Sequence, residues 1–91
     1  MFFVVAYDIA DPKRLAKIAK TMENYGVRVQ KSVFECILDE KQYLEMKQKV
    51  ERIMNFNLDA VRYYFICQRC QGRIELSGLG LIHEVDDLII I

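Results

Sequence analysis

The chain has 91 residues, which is enough for one small domain and too few for a second independent core. Hydrophobic residues make up 53% and charged residues 29% of the sequence, a balance that excludes an intrinsically disordered chain. Thirteen basic and thirteen acidic side chains cancel, so the net charge favours no class of partner. The apolar runs are far shorter than the roughly 20 residues of a membrane helix, and the first lacks the basic segment of a secretory signal. We therefore expect a soluble, cytoplasmic domain.

The first predicted elements are a strand and a helix. Residues 2–9 are apolar on both strand faces up to Asp8, which is typical of a central strand buried on both sides. Asp11 then supplies a helix N-cap, and Pro12 takes the first helical position. The helix is expected to end at Gly26, as a C-cap glycine. Its buried stripe consists of apolar residues at helical spacing: Leu15, Ile18, Ala19, Met22 and Tyr25.

The next predicted elements are a hairpin, a second helix and a further strand. Residues 27–38 are β-branched and aromatic but too many for one strand, so the interruption at residues 30–32 predicts two short antiparallel strands with a tight or bulged reversal. Asp39 and Gln42 resemble a capping box that opens the second helix. Residues 60–66 are another strand. The second helix is expected to bury Tyr43, Met46, Val50 and Ile53.

The order of these elements predicts an α+β, ferredoxin-like sandwich with helices on one face of the sheet only. Residues 1–91 are expected to form one domain, with a core at 1–70 and a C-terminal segment at 71–91. The second face of the first strand and the apolar tail at 88–91 would be exposed in a monomer. We therefore expect a homodimer joined through the open sheet face, with the C-terminal segment added as a strand to the partner's sheet and a hinge at Gly78 and Gly80.

The cysteines and the histidine give little support for metal or covalent chemistry. Cys67 and Cys70 have the spacing of half a zinc site, but only Cys36 and His83 remain as soft ligands to complete it. Ordinary thiols are the simpler interpretation. Without a second histidine, Ser–His or Cys–His nucleophilic catalysis has little support.

Asp8 is the first candidate for chemistry. It lies at the carboxyl end of the central strand, where open sheets tend to place ligands, and after an apolar run its carboxylate faces a desolvation cost. In a two-fold dimer through the sheet, the two Asp8 carboxylates could share a divalent ion such as magnesium. The alternative is that Asp8 caps the strand–helix loop, and the residues alone leave both interpretations open.

The basic side chains are concentrated in the first half of the chain. Residues 12–31 carry six basic side chains and one acidic side chain, whereas residues 74–91 carry four acidic side chains and no Lys or Arg. A neutral chain can thus present a cationic face to a polyanion, although a solvated helix face is the simpler interpretation. The candidate nucleic-acid-binding residues are Lys13, Arg14, Lys17, Lys20, Arg28 and Lys31.

Three motifs in order carry a family resemblance. They are VAYDI at residues 5–9, followed by Asp11 and Arg14; YGVRVQKSVFE at residues 25–35; and VRYY at residues 61–64, followed by the Cys67/Cys70 pair. This ordered set resembles the CRISPR-associated Cas2 family, the small proteins of spacer acquisition in antiviral defence. The resemblance covers about residues 2–70.

The resemblance implies a ferredoxin-like dimer whose last strand pairs with the partner's sheet. It implies a metal-dependent endonuclease acting on RNA or double-stranded DNA, in which the residue matching Asp8 ligates Mg²⁺ or Mn²⁺ and a magnesium-activated water attacks the phosphodiester. It also implies a role as adaptor between two dimers of the CRISPR integrase. Four further positions are linked in the family to activity or site architecture: Tyr7, Arg14, Arg28 and Phe34.

Other functions stay open at the level of sequence. In one, the dimer is a purely structural adaptor without catalysis, and Asp8 is a structural residue. In another, the chain is a toxin-type ribonuclease of similar fold that acts without an integrase, or a generic regulatory domain. Lys17 stands where some members of the family carry a second arginine, which weakens bidentate phosphate binding there.

Overall fold

The five strands in the described part of the chain form one antiparallel sheet. The structure is a computed structural model that describes residues 1–66 and 73–78. Strands β1 to β5 lie side by side in the order β2-β3-β1-β4-β5, and the predicted α+β, ferredoxin-like order of elements is confirmed, with one additional strand. In chain order the elements are β1 (Phe2–Asp8), α1 (Pro12–Met22), β2 (Gly26–Gln30), β3 (Val33–Ile37), α2 (Glu40–Ile53), β4 (Ala60–Phe65) and β5 (Arg73–Gly78).

The core lies between one face of this sheet and the two helices. In β1 the side chains of Phe3, Val5 and Tyr7 are buried in it, whereas Val4 and Ala6 lie on the other face and are half-buried. The predicted stripes of the helices supply the opposing layer. Its buried members are Ile18, Ala19 and Met22 of α1 and Tyr43, Met46 and Val50 of α2. The helices therefore cover one face and leave the other open, as predicted.

Helix α1 begins as predicted but ends earlier. The Asp11 side chain accepts a hydrogen bond from the Arg14 N–H at 3.0 Å, and Pro12 is the first helical residue. The predicted C-cap at Gly26 is wrong, because the cap is Glu23 in a right-handed helical conformation. Gly26 opens β2 instead, where a Cβ atom would clash with the Glu35 carbonyl oxygen. Close approach of two strands, rather than helix termination, requires this glycine.

The hairpin and the start of α2 confirm the predictions from sequence. Strands β2 and β3 are antiparallel, and their register shifts between Arg28 and Gln30, as in a bulged hairpin. The capping box is complete: the Gln42 N–H donates to Asp39 Oδ1 at 2.7 Å, and the Asp39 N–H donates to Gln42 Oε1 at 3.1 Å.

Strand β5, whose bounds the sequence patterns do not predict, pairs with β4 of its own chain. The sequence predicts an additional strand in segment 71–91 and pairs it with the partner's sheet, whereas residues 73–78 extend the sheet of their own chain. Gly78 has a φ of 96°, and a Cβ atom there would clash with the Asp59 carbonyl oxygen, so this glycine is required by packing. The tail at 79–91 with Gly80 and His83, and the Cys67/Cys70 pair, lie outside the described residues, so their predicted roles stay predictions.

No helix in the described part of the chain is long and apolar enough to span a membrane.

Candidate functional site

Asp8 ends the central strand and points away from the core. Neighbouring residues of a strand face opposite sides of the sheet, and Tyr7 is buried on the helix side. Asp8 pairs in register with Ala60 of β4 on the open side, and its side chain is exposed. The prediction that the Asp8 carboxylate pays a desolvation cost is therefore wrong, because the carboxylate stays in contact with water.

The loop between β1 and α1 is capped by two other aspartates. Asp11 caps the helix, and Asp59, which directly precedes β4, accepts a hydrogen bond from the Ala10 N–H at 2.9 Å. No residue in the described ranges donates a hydrogen bond to the Asp8 carboxylate. The alternative that Asp8 caps this loop is therefore wrong, and its oxygens are available for a ligand.

The donor set at Asp8 fits a divalent cation only in part. Mg²⁺ is commonly held by one or two carboxylates and otherwise by water or phosphate oxygens, so an exposed carboxylate is a suitable ligand. Among residues 1–66 and 73–78, no group of three or more His, Cys, Asp or Glu side chains is placed to hold a metal ion. A complete metal site would therefore need ligands from a second chain or from a substrate.

The open face that ends at Asp8 carries exposed apolar side chains. Phe2 of β1 pairs with Ile37 of β3, and the Ile37 side chain is 80% exposed. Val27 and Leu76 are also exposed on this face. Their register partners, Glu35 and Arg62, pair in turn with Val4 and Ala6, the residues of β1 that face away from the helices. An apolar sheet face with charged side chains among it is the kind of surface that a second copy of the chain can cover.

Arg14, a predicted phosphate ligand, is bound inside the chain by Asp59. Its Nε lies 2.8 Å from Asp59 Oδ2, and its Nη2 lies 3.2 Å from Oδ1, so the pair is bidentate. The Arg14 side chain keeps 24% of its exposure. A guanidinium has five N–H groups, and the pair with Asp59 uses two of them. Contact with a phosphate through the remaining N–H groups stays a prediction.

The Asp59 carboxylate is completely buried and ionised. Burial alone disfavours its charge, but hydrogen bonds from Arg14 and from the N–H groups of Asn55 and Ala10 outweigh that effect and lower the pKa of Asp59. The ion pair with Asp59 also raises the pKa of Arg14. The sequence patterns place Asp59 in an exit loop and miss this role. The one feature that could have indicated it is an acidic residue directly before an apolar strand.

Tyr7, Arg28 and Phe34 lie together on the helix side of the sheet. Arg28 donates to the Lys31 carbonyl oxygen from Nε at 3.2 Å and from Nη2 at 2.7 Å, and its guanidinium lies 5.8 Å from the centre of the Phe34 ring. The Tyr7 hydroxyl donates a long hydrogen bond, 3.5 Å, to the same carbonyl, and burial raises the pKa of Tyr7 despite the nearby Arg28. These residues order the hairpin turn, whereas Asp8 lies on the opposite face. The predicted site is thus divided between two faces of the sheet.

The four predicted lysines are all exposed. Lys13, Lys17 and Lys20 follow one another at helical spacing on the side of α1 opposite its buried stripe, and Lys31 lies in the hairpin turn. A groove between α1 and β2 is lined in part by Lys20 and Arg28, which joins the helix to the hairpin in one cationic surface. A polyanion can contact this surface without displacing any part of the fold.

Comparisons with known proteins agree with this architecture. The family model described as CRISPR associated protein Cas2 matches residues 1–74. The chain is 38% identical over 96 aligned positions to the CRISPR-associated endoribonuclease Cas2 of Chlorobaculum tepidum, across 100% of both chains. It is 37% identical over 86 positions to a CRISPR-associated endonuclease Cas2 of Thermus thermophilus, across 94% and 91% of the two chains. The crystal structure of Streptococcus pyogenes Cas2 at pH 6.5 superposes with a TM-score of 0.70 at 34% identity, covering 78% of this chain and 92% of that one.

Proposed function

The chain belongs to the CRISPR-associated protein Cas2 family, and on this premise we propose that it is a cytoplasmic nuclease of CRISPR spacer acquisition. It hydrolyses phosphodiester bonds of RNA or double-stranded DNA, uses Mg²⁺ or Mn²⁺, and works as a homodimer that also joins the CRISPR integrase. The names of the matched proteins, an endoribonuclease and an endonuclease, support cleavage of nucleic acid. The structural observation that carries the proposal is the exposed Asp8 carboxylate at the end of the central strand.

The homodimer forms through the open face of the sheet. This face carries exposed Phe2 and Ile37 and ends at Asp8, so burying it in a two-fold contact removes apolar surface from water. In such a contact the two Asp8 side chains would approach the axis and would together hold a divalent cation, whose charge would offset their repulsion. The second carboxylate that a single chain does not supply comes from the partner.

Asp8 would hold the metal, and the cationic surface would hold the nucleic acid. When bound, Mg²⁺ supplies a water of lowered pKa and polarises a phosphoryl oxygen. Lys13, Lys17 and Lys20 attract the phosphate backbone without regard to sequence. Arg28 adds a fixed cation at the hairpin, because the Lys31 carbonyl and the Phe34 ring hold its guanidinium in place.

A structural adaptor without catalysis is the second candidate function. The observation that favours it is that Asp8 stands outside any group of three potential ligands among the described residues. Arg14 also forms an ion pair with Asp59, as expected of a residue that stabilises the fold. In this case the dimer would hold nucleic acid and integrase on its cationic surface, and Asp8 would have no part in chemistry.

Cleavage by an Asp8→Asn variant separates the two functions. Labelled RNA and double-stranded DNA are incubated with increasing Mg²⁺, and product is measured for the wild type, for Asp8→Asn and for Glu40→Gln. Glu40 is the matched control, because it is also an exposed carboxylate but lies at the other end of β1 from Asp8. Its near neighbour Leu38 donates a backbone hydrogen bond to the Met1 carbonyl oxygen there. We expect Asp8→Asn to fall to the background rate and Glu40→Gln to match the wild type. Equal cleavage by all three proteins would remove Asp8 from the mechanism or expose a contaminating nuclease, whereas no cleavage above background by the wild type would favour the adaptor.

A further inference from the structure

Asp59 holds three segments of the chain together from a fully buried position. Its Oδ1 accepts hydrogen bonds from the Ala10 N–H at 2.9 Å and from Arg14 Nη2 at 3.2 Å. Its Oδ2 accepts from Arg14 Nε and from the Asn55 N–H, both at 2.8 Å. The donors belong to the loop after β1, to the first turn of α1 and to the loop after α2. Each oxygen therefore ties a different pair of segments.

Asp59 is connected to Asp8 by two routes, one through a hydrogen bond of its side chain and one through its own backbone. Ala10 follows Asp8 by two residues, and its N–H is fixed by the Asp59 side chain. Ala60 follows Asp59 directly and pairs in register with Asp8 in the sheet. Asp8 has a register partner in β4 only, because the register of β1 with β3 ends at Ala6, so its direction depends on what holds the chain after it. Here that support comes from Asp59.

The surroundings of Asp59 leave little room for movement. Gly78, at the end of β5, approaches so closely that a Cβ atom there would clash with the Asp59 carbonyl oxygen. The Asp59 N–H also donates to the Asn55 carbonyl oxygen at 2.8 Å. Backbone and side chain of Asp59 are thus both fixed. A buried carboxylate with every partner in place is a rigid support for the strand end that carries Asp8.

We propose that Asp59 is a positioning residue for Asp8: it sets the direction of the exposed carboxylate through Ala10 and Ala60 and so determines how tightly Asp8 binds a divalent cation. This inference rests on the proposed function, in which Asp8 is the metal ligand. Asp59 itself touches neither metal nor substrate, because it is completely buried. Groups that orient a metal ligand from behind typically change metal affinity by roughly 10–100-fold when they are removed.

The test uses Mn²⁺ as the probe and does not depend on catalysis. Mn²⁺ is titrated into ¹⁵N-labelled protein, and paramagnetic broadening of the amide signals of Tyr7, Asp8 and Ile9 is followed by NMR. The exchange rate of the Ala10 amide with deuterium is measured in the same samples. We compare the wild type with Asp59→Asn, which keeps the size of the side chain and loses its charge, at a temperature where both proteins are folded.

Val50→Ala is the control for a general loss of stability. Val50 is completely buried in the hydrophobic core and takes no part in the hydrogen bonds of the Asp59 side chain. We expect Asp59→Asn to need at least roughly 10-fold more Mn²⁺ than the wild type for half-maximal broadening. We also expect its Ala10 amide to exchange with deuterium faster. Val50→Ala should match the wild type in both measurements. If Asp59→Asn does not fold, Arg14→Lys, which keeps the buried charge paired through fewer hydrogen bonds, should shift both in the same direction by less.

The outcomes separate this inference from the proposed function. Wild-type broadening around Asp8 with an unchanged Mn²⁺ requirement in Asp59→Asn would overturn the positioning role and leave Asp8 as the metal ligand. No broadening around Asp8 in the wild type would overturn the metal assignment and the positioning role together. A Val50→Ala variant that shifts as much as Asp59→Asn would show that lost stability, rather than lost support of Asp8, causes the change.

Discussion

Tyr7 and Asp8 are neighbours in β1, yet their side chains lie on opposite faces of the sheet. Tyr7 packs in the core against Phe34, with ring centres 6.2 Å apart, whereas Asp8 is exposed on the open face. Tyr7 therefore acts on the hairpin turn through Lys31, and Asp8 is directed to where a second chain or a substrate can reach it. Residues that are adjacent in a motif thus serve two separate parts of the molecule.

Removing the Asp59 side chain should lower the stability of the fold. In Asp59→Ala the N–H groups of Ala10 and Asn55 lose their acceptor in a buried place, which we expect to cost on the order of 3 kcal/mol of the free energy of unfolding. Asp11→Ala, which removes a helix N-cap at a more exposed position, should cost about 1 kcal/mol. Urea unfolding measures both variants. A smaller loss for Asp59→Ala than for Asp11→Ala would contradict the role given to Asp59.

The stability of the protein should depend on acid pH through Asp59. Its pKa in the fold is lowered below the unfolded value of about 3.9, so the ionised carboxylate stabilises the fold above that pH. This contribution is lost as the pH falls through the folded pKa. Thermal unfolding between pH 7 and pH 2.5 should therefore show a steeper loss below about pH 4 in the wild type than in Asp59→Asn. Parallel curves for the two proteins are the result that this account does not allow.

The lysines of α1 should account for part of the salt dependence of nucleic-acid binding. Each phosphate contact contributes about 0.9 to the slope of log affinity against log salt, so Lys13→Gln with Lys17→Gln should reduce the slope by about 2. Lys41→Gln with Lys49→Gln changes the charge equally on α2, where both lysines are exposed, and should leave the slope nearly unchanged. Fluorescence anisotropy at several salt concentrations measures the slopes. Equal effects of the two pairs would mean that α1 is not the binding surface.

A charge placed on the open face should dissociate the homodimer. Ile37 is 80% exposed in the single chain, so Ile37→Lys should be tolerated by the monomer and opposed by a contact that buries this face. Leu44→Lys is the matched control, because Leu44 is 55% exposed on α2, away from that face. Light scattering should give twice the 10.7 kDa chain mass for the wild type and Leu44→Lys, and the single mass for Ile37→Lys. An Ile37→Lys protein that stays dimeric would place the interface elsewhere.

Local patterns in the sequence predict the elements of this fold but not the contacts between distant ones. The capping box at Asp39 and Gln42 is predicted because both of its hydrogen bonds lie within one helical turn. The role of Gly26 is not predicted, because it depends on the close approach of another strand at Glu35 and Cys36. Arg14 resembles a surface cation in sequence because its partner, Asp59, is 45 residues away.

Strand β5 escapes prediction because its polar residues face inward. A strand is normally predicted from apolar residues on its buried side. In β5 that side carries Glu75, which bonds to Tyr43 and Lys47, and Ser77, which bonds to Glu51 of α2. The apolar side chains of the strand lie on the open face instead. The alternation of polar and apolar residues therefore predicts the opposite face of β5 as the buried one.

Anomalous scattering from crystals grown with Mn²⁺ would test the metal site and the dimer together. We expect a manganese peak at the Asp8 carboxylate, on or close to a two-fold axis that relates two chains packed through their open sheet faces. Chains joined through another surface, or manganese bound elsewhere with Asp8 facing only solvent, would contradict the proposed catalytic centre.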